Sequence, residues 1–121
     1  MTGQILIVDD DRNLALLYRT ELEAQGWTVT VAPSPIEALE VTRRQSFQVI
    51  VLDIEMPEMS GLELLSKLRE QSTDSRIILN SAFSTYKSDF QTWLADAYLV
   101  KSSDITPLIQ TIRNLLVPAH E

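Results

Sequence analysis

The residues with chemistry to offer are few. They are the acids Asp9, Asp10, Asp11 and Asp53, the hydroxyl of Ser81 and the ammonium of Lys101. Each follows a short apolar run. Ile5–Val8 leads into Asp9-Asp10-Asp11, Val49–Leu52 into Asp53, Ile77–Leu79 into Asn80-Ser81, and Tyr98–Val100 into Lys101. Two carboxylates about 4 Å apart repel by roughly 4 kcal/mol at an effective dielectric near 20, so several in one cleft need a cation or a proton. Oxygen donors with no histidine or cysteine nearby favour a hard ion, and Mg2+ in particular where phosphate oxygens complete the shell. A carboxylate can also attack phosphorus to form an aspartyl phosphate. A metal and a lysine would then offset the charge on the phosphoryl oxygens, and a serine hydroxyl could donate to one of them. Asp11 reads differently, as a helix N-cap.

Such groups meet only if the chain folds to bring the ends of these runs together. Three of the runs are solidly apolar, the pattern of strands covered on both faces of a parallel sheet. Trp27–Val31 alternates with threonines and reads as a fifth, edge-type strand. Helical stretches lie between. Leu14, Leu17, Tyr18 and Leu22 form a stripe, with Gly26 placed to cap its end. Ser34-Pro35-Ile36-Glu37 is a capping box, and Ser60-Gly61-Leu62-Glu63 repeats it before Leu65 and Leu68. Thr106-Pro107 opens a last helix with the stripe Leu108, Ile109, Ile112, Leu115 and Leu116, and Pro118 ends it. Alternation of β and α repeated five times predicts an α/β doubly wound parallel sheet of five strands, with helices on both faces. In open sheets of this kind sites form outside the carboxyl ends of the strands, where the strand order reverses. For order 2-1-3-4-5 that point lies between strands one and three and brings Asp9, Asp10 and Asp53 together.

Composition narrows the classes further. With 121 residues, 45% apolar and 22% charged, the chain reads as one globular domain over 1–121 with its core at about 3–117. There is no cysteine, so disulfides and thiolate chemistry are excluded. The net charge of −7 argues against direct nucleic-acid binding, which needs a basic patch. The start lacks a signal-peptide pattern, and no apolar run approaches the ~20 residues of a membrane span. No membrane contact is expected, and cytoplasm is the default location.

Arranged this way, the sequence resembles the receiver domain of bacterial two-component response regulators, a flavodoxin-like fold, over essentially its whole length. Ile-Leu-Ile-Val-Asp9-Asp10-Asp11 resembles the family's first strand and acidic pair. Asp53-Ile-Glu-Met-Pro57-Glu-Met-Ser-Gly61-Leu62-Glu63 is similar to its most recognisable segment. Ser81-Ala82 resembles the hydroxyl switch position, and Ala97-Tyr98-Leu99-Val100-Lys101 the aromatic-to-lysine stretch. The resemblance implies that Asp53 is the phosphoacceptor in a phosphorelay. It implies that Asp10 and Asp53 bind Mg2+ directly, Asp9 mostly through water, and that the backbone carbonyl of Glu55 adds a ligand. Lys101 would contact the phosphoryl group, and Ser81 would move toward it on activation. Tyr98 would swing from exposed to inward and alter the face made by the fourth helix, the fifth strand and the fifth helix. A downstream protein or a second copy would dock on that face. The donor is expected in trans, a histidine kinase or histidine phosphotransfer protein, because the only histidine, His120, lies beyond Pro118. The chain would not be a conventional enzyme, although it would catalyse its own phosphoryl transfer and dephosphorylation.

Three departures from the family pattern stand out. Ser102 replaces the proline that usually follows the lysine, often with a cis bond. A cis bond before serine costs ~3–4 kcal/mol, so a trans bond is expected. The stretch from Ser81 to Lys101 is shorter than usual. It carries Phe83, Tyr86, Phe90 and Trp93 at helical spacing, a pattern that reads as core or as a partner surface.

Two other functions are open on the residues alone. A receiver-like module that only binds partners would fit better had Asp53, Lys101 or the acidic pair been lost. A phosphatase of the haloacid dehalogenase type wants an aspartate two residues after its nucleophile, where this chain has Glu55, and a cap domain. A P-loop enzyme is excluded by the absence of any G-x-x-x-x-G-K-[ST] segment.

Overall fold

The apolar runs resolve into a parallel sheet between two layers of helix. The computed structural model describes residues 3–71, 74–83 and 94–117. Its elements are β1 (Gln4–Val8), α1 (Arg12–Glu23), β2 (Thr28–Ala32), α2 (Pro35–Arg44), β3 (Val49–Leu52), α3 (Gly61–Glu70), β4 (Arg76–Ser81), β5 (Ala97–Val100) and α4 (Thr106–Leu116). All neighbouring strands are parallel, in the order β2-β1-β3-β4-β5. This is the expected strand order. The helix expected between Ser81 and Lys101, with Tyr86, Phe90 and Trp93, lies outside the described residues.

The solid apolar runs are explained by two cores, one on each face. Along β1, Leu6 and Val8 point to the core that also holds Ala38 of α2 and Leu64, Leu65 and Leu68 of α3. Ile5 and Ile7 point the other way, to Ala15, Tyr18 and Leu22 of α1 and Leu108 and Ile112 of α4. A strand residue alternates faces, so only a strand covered on both sides can be apolar at every position.

Register then delivers the acids. Val8 pairs with Ala32 on one side and Leu52 on the other. The next residues, Asp9 and Asp53, leave neighbouring strands at the same level. The Asp53 N–H donates to the Val8 carbonyl at 2.9 Å, and the Asp9 N–H to that of Ala32 at 3.3 Å.

The helix starts follow their caps. The side chains of Asp11, Ser34 and Ser60 accept from the N–H groups of Leu14, Glu37 and Glu63. The Ser34 hydroxyl also donates to the Glu37 carboxylate at 3.0 Å. Gly26 has a φ of +94°, the left-handed conformation glycine supplies without strain. At α4 the N-cap is Ile105, which makes no side-chain bond. Asp104 instead accepts from the Thr106 N–H at 3.0 Å, and this bond holds its carboxyl below the ordinary value.

One expected core position is wrong. Leu17 is 52% exposed, and Ala15 joins Tyr18 and Leu22 in the buried stripe. Successive residues turn by about 100° around a helix, which carries Leu17 past the edge of the face set by Ala15, Tyr18 and Leu22. No cis peptide bond occurs among the described residues, so Lys101–Ser102 is trans, as its sequence predicts.

Candidate functional site

The site is assembled from the ends of β1, β3, β4 and β5. Asp9, Asp10 and Asp53 each offer a carboxylate oxygen within 4.8 Å of the others, a spacing that could hold a metal ion. Asp9 and Asp53 are buried and Asp10 is exposed. Lys101, leaving β5, reaches across the end of β4. Its Nζ lies 2.9 Å from Asp9 Oδ2 and 3.3 Å from Asp53 Oδ1.

Both Asp9 oxygens are engaged, since Oδ1 accepts from the Asp11 N–H at 2.9 Å. Asp53 Oδ1 differs. It is buried without a well-directed hydrogen bond, because Lys101 is near enough for an ion pair but poorly aligned. A buried carboxylate oxygen short of donors is what a hard cation satisfies. With Asp10 open to solvent beside it, the donor set fits a six-coordinate ion that keeps several waters.

The electrostatics match the geometry. Burial, then the charge of Asp9, push the Asp53 carboxyl up to about 6, against the pull of Lys101; Glu55 adds to the rise. Burial works against the charge on Lys101, but its bond to Asp9 and the charges of Asp53 and Asp9 outweigh this and raise its pKa. The lysine therefore stays protonated in the cleft.

The loop after Asp53 is shaped by backbone contacts. The Gly61 N–H donates to the Ile54 carbonyl at 2.8 Å, and a Cβ at Gly61 would overlap the backbone of Asp53 and Ile54. The first residue of α3 thus packs directly on the chain that carries Asp53, which only glycine permits. Glu58, in the same loop, has a φ of +63°.

Ser81, the last residue of β4, is fully buried. Its hydroxyl lies 3.2 and 3.3 Å from the two carboxylate oxygens of Glu55. Tyr98 is half-buried, and its hydroxyl donates to the Phe83 carbonyl at 2.7 Å. Phe83 itself is exposed, and the rest of the aromatic series lies outside the described residues.

Two contacts at the site were not read from the sequence. The Glu55 side chain bonds Ser81, whereas the family resemblance implies a role only for its backbone carbonyl. The Asn80 amide donates to the Tyr18 hydroxyl at 2.9 Å, a buried bond within reach of the Lys101 charge. Burial pushes the Tyr18 hydroxyl up, partly opposed by Asn80. A tyrosine on an apolar stripe is itself a signal, because its buried hydroxyl needs a polar partner.

Residues 5–113 match the family model of the response regulator receiver domain. Among curated proteins, the chain is 34% identical over 114 residues to the response regulator ArlR of Staphylococcus aureus, covering 93% of this chain and 52% of that protein. It is 33% identical over 117 residues to the transcriptional regulatory protein YkoG of Bacillus subtilis, covering 94% and 51%. The chain thus spans about half the length of the curated relatives it matches. Among solved structures, the response regulator TrrA of Thermotoga maritima in complex with Mg2+-BeF superposes with a TM-score of 0.91 at 39% identity, covering 96% of this chain and 100% of that one. TrrA in complex with the histidine kinase ThkA gives 0.90 at 38%, with the same coverage. Chemotaxis protein CheY4 of Vibrio cholerae gives 0.89 at 26%, again covering 96% and 100%.

Proposed function

Since this chain belongs to the response regulator receiver family, we propose that it is a phosphoacceptor switch whose modified residue is Asp53. The carrying observation is the juxtaposition of Asp53 with Asp9 and Asp10 under one lysine that touches both buried acids.

Asp53 and Asp10 would hold Mg2+ directly. Asp9, with both oxygens engaged, would contribute through water while it anchors Lys101, and the Glu55 backbone carbonyl would complete the protein's share. When bound, the ion would supply positive charge to offset the negative charge of the incoming phosphoryl oxygens. The remaining steps belong to the chain. A carboxylate oxygen of Asp53 forms a bond to phosphorus while the bond to the donor's imidazole nitrogen breaks, and the imidazole leaves with the electron pair. Lys101, already charged and within reach, moves from the carboxylate to a phosphoryl oxygen. Ser81 donates its hydroxyl proton to another, and Tyr98 turns inward in the space this opens.

The donor is a histidine kinase or histidine phosphotransfer protein, a reading supported by the solved pairing of TrrA with ThkA. The altered face around Tyr98 and β5 engages a downstream protein or a second copy. None of the helices among the described residues is long and apolar enough to cross a membrane, which is consistent with action in the cytoplasm.

Incubation with acetyl phosphate and Mg2+ followed by intact mass tests the reading. Wild type gains about 80 Da, one phosphoryl group, and Asp53→Ala gains nothing. An equal adduct on Asp53→Ala would overturn the assignment.

A further inference from the structure

The contact between Glu55 and Ser81 has no part in the scheme above, and it competes with one step of it. A serine hydroxyl carries a single proton. Here Ser81 Oγ faces both oxygens of the Glu55 carboxylate at 3.2 and 3.3 Å, and the Phe83 N–H donates to the same Oγ at 3.1 Å. The hydroxyl therefore accepts from the backbone and gives its one proton to Glu55. A proton committed to Glu55 is unavailable to a phosphoryl oxygen on Asp53.

At 3.2 and 3.3 Å the bond is long for an O–H···O contact and shared between two oxygens, so it is readily released. Its carboxylate acceptor offsets part of that weakness. Glu55 is only half-buried, so water can solvate its carboxylate once Ser81 leaves. Ser81, by contrast, is fully buried and needs an acceptor in either state. Glu55 is also not among the acids that converge on the candidate metal position, so its side chain is free for this role.

The contact leads on toward the surface. Phe83, whose N–H bonds Ser81 Oγ, accepts at its carbonyl from the Tyr98 hydroxyl at 2.7 Å. The Lys101 N–H bonds the Ser81 carbonyl at 2.6 Å. Glu55, Ser81, Phe83 and Tyr98 are thus one hydrogen-bonded chain from the acidic loop to the half-buried tyrosine.

We propose that the Glu55 side chain is an off-state latch: a positioning residue that holds the Ser81 hydroxyl away from Asp53 and, through Phe83, holds Tyr98 in its resting place. The latch rests on the phosphoacceptor reading of Asp53. Phosphorylation opens it by offering Ser81 a better acceptor, and removing Glu55 opens it without phosphorylation.

The test must separate the hydrogen bond from the loss of a negative charge. Glu55→Gln removes the charge and keeps an acceptor oxygen, whereas Glu55→Met removes both. Glu55→Ala serves as a second acceptor-free variant should the methionine fail to fold. Affinity for beryllofluoride at saturating Mg2+ is measured for each, with Ser81 intact and in a Ser81→Ala background. With Ser81 intact, the acceptor-free variant binds beryllofluoride about threefold to tenfold more tightly than Glu55→Gln. In the Ser81→Ala background the two bind alike. NMR of the Tyr98 ring in the unliganded protein supplies an independent readout. Its signals in the acceptor-free variant move part of the way toward their beryllofluoride-bound positions. Equal affinities with Ser81 intact, or a difference that persists in Ser81→Ala, would overturn the latch. Wild type binding beryllofluoride no better than Asp53→Ala would instead overturn the phosphoacceptor reading beneath it.

Discussion

Asp53 competes for two partners, a proton and a metal ion, and its surroundings set the balance. Burial and the neighbouring Asp9 lift its carboxyl to about 6, whereas a free aspartate titrates near 3.8. A hard cation binds the ionised form and must displace the proton where there is one. Mg2+ affinity is therefore predicted to be flat above pH 7 and to fall as pH drops through about 6. Below that it weakens by about tenfold per unit, well before an ordinary aspartate would protonate. Mg2+ titrations followed by tryptophan fluorescence between pH 5 and 8 check this, and a midpoint near 4 would contradict the account of the pocket. At this scale the sequence was most legible for residues whose position in the chain fixes their place in the fold. Asp9, Asp10, Asp53 and Lys101 each stand at a strand end, so register alone brings them together. The Glu55 side chain was not legible, because a loop residue's direction depends on the turn that carries it. That turn, with Glu58 at positive φ and Gly61 pressed on Asp53, emerges only in three dimensions.

Elements position these groups, and two substitutions probe how tightly. Gly61 is the first residue of α3 and lies against the backbone of Asp53 and Ile54, where no side chain fits. Gly61→Ala is predicted to cost about 2–4 kcal/mol by forcing the loop apart and to weaken Mg2+ binding with it. Leu17, on the open side of α1, is the contrasting case: Leu17→Gln should change stability by less than about 0.5 kcal/mol. Urea denaturation of both variants decides the matter. A large loss for Leu17→Gln would restore it to the core stripe from which the structure removes it. Strand runs and capping boxes were legible because each is a local pattern with a local cause. The stripe on α1 was less so, since leucine at 14, 16 and 17 leaves the choice of buried face to the sheet it packs on. The shortened stretch before Lys101 allowed no such local reading, and most of its aromatic series lies outside the described residues.

At the scale of the molecule, the solidly apolar strands dictate two cores, the two cores dictate a sheet covered on both faces, and right-handed crossovers then leave few strand orders. The order β2-β1-β3-β4-β5 puts β1 beside β3 at the point where the winding reverses. That placement brings three of the chain's acids, Asp9, Asp10 and Asp53, into one cleft with Lys101 across it. The whole fold thus bears on one atom group, the carboxyl of Asp53, and the most direct test asks whether the phosphoryl group is carried there. An aspartyl phosphate is an acyl phosphate, and borohydride reduces it to homoserine while leaving a free carboxylate intact. Protein treated with acetyl phosphate and Mg2+, reduced and digested, should yield homoserine in place of aspartate at position 53 and nowhere else. Homoserine at Asp9 or Asp10 instead, or an unreduced Asp53 in protein that carries the phosphoryl mass, would contradict the account.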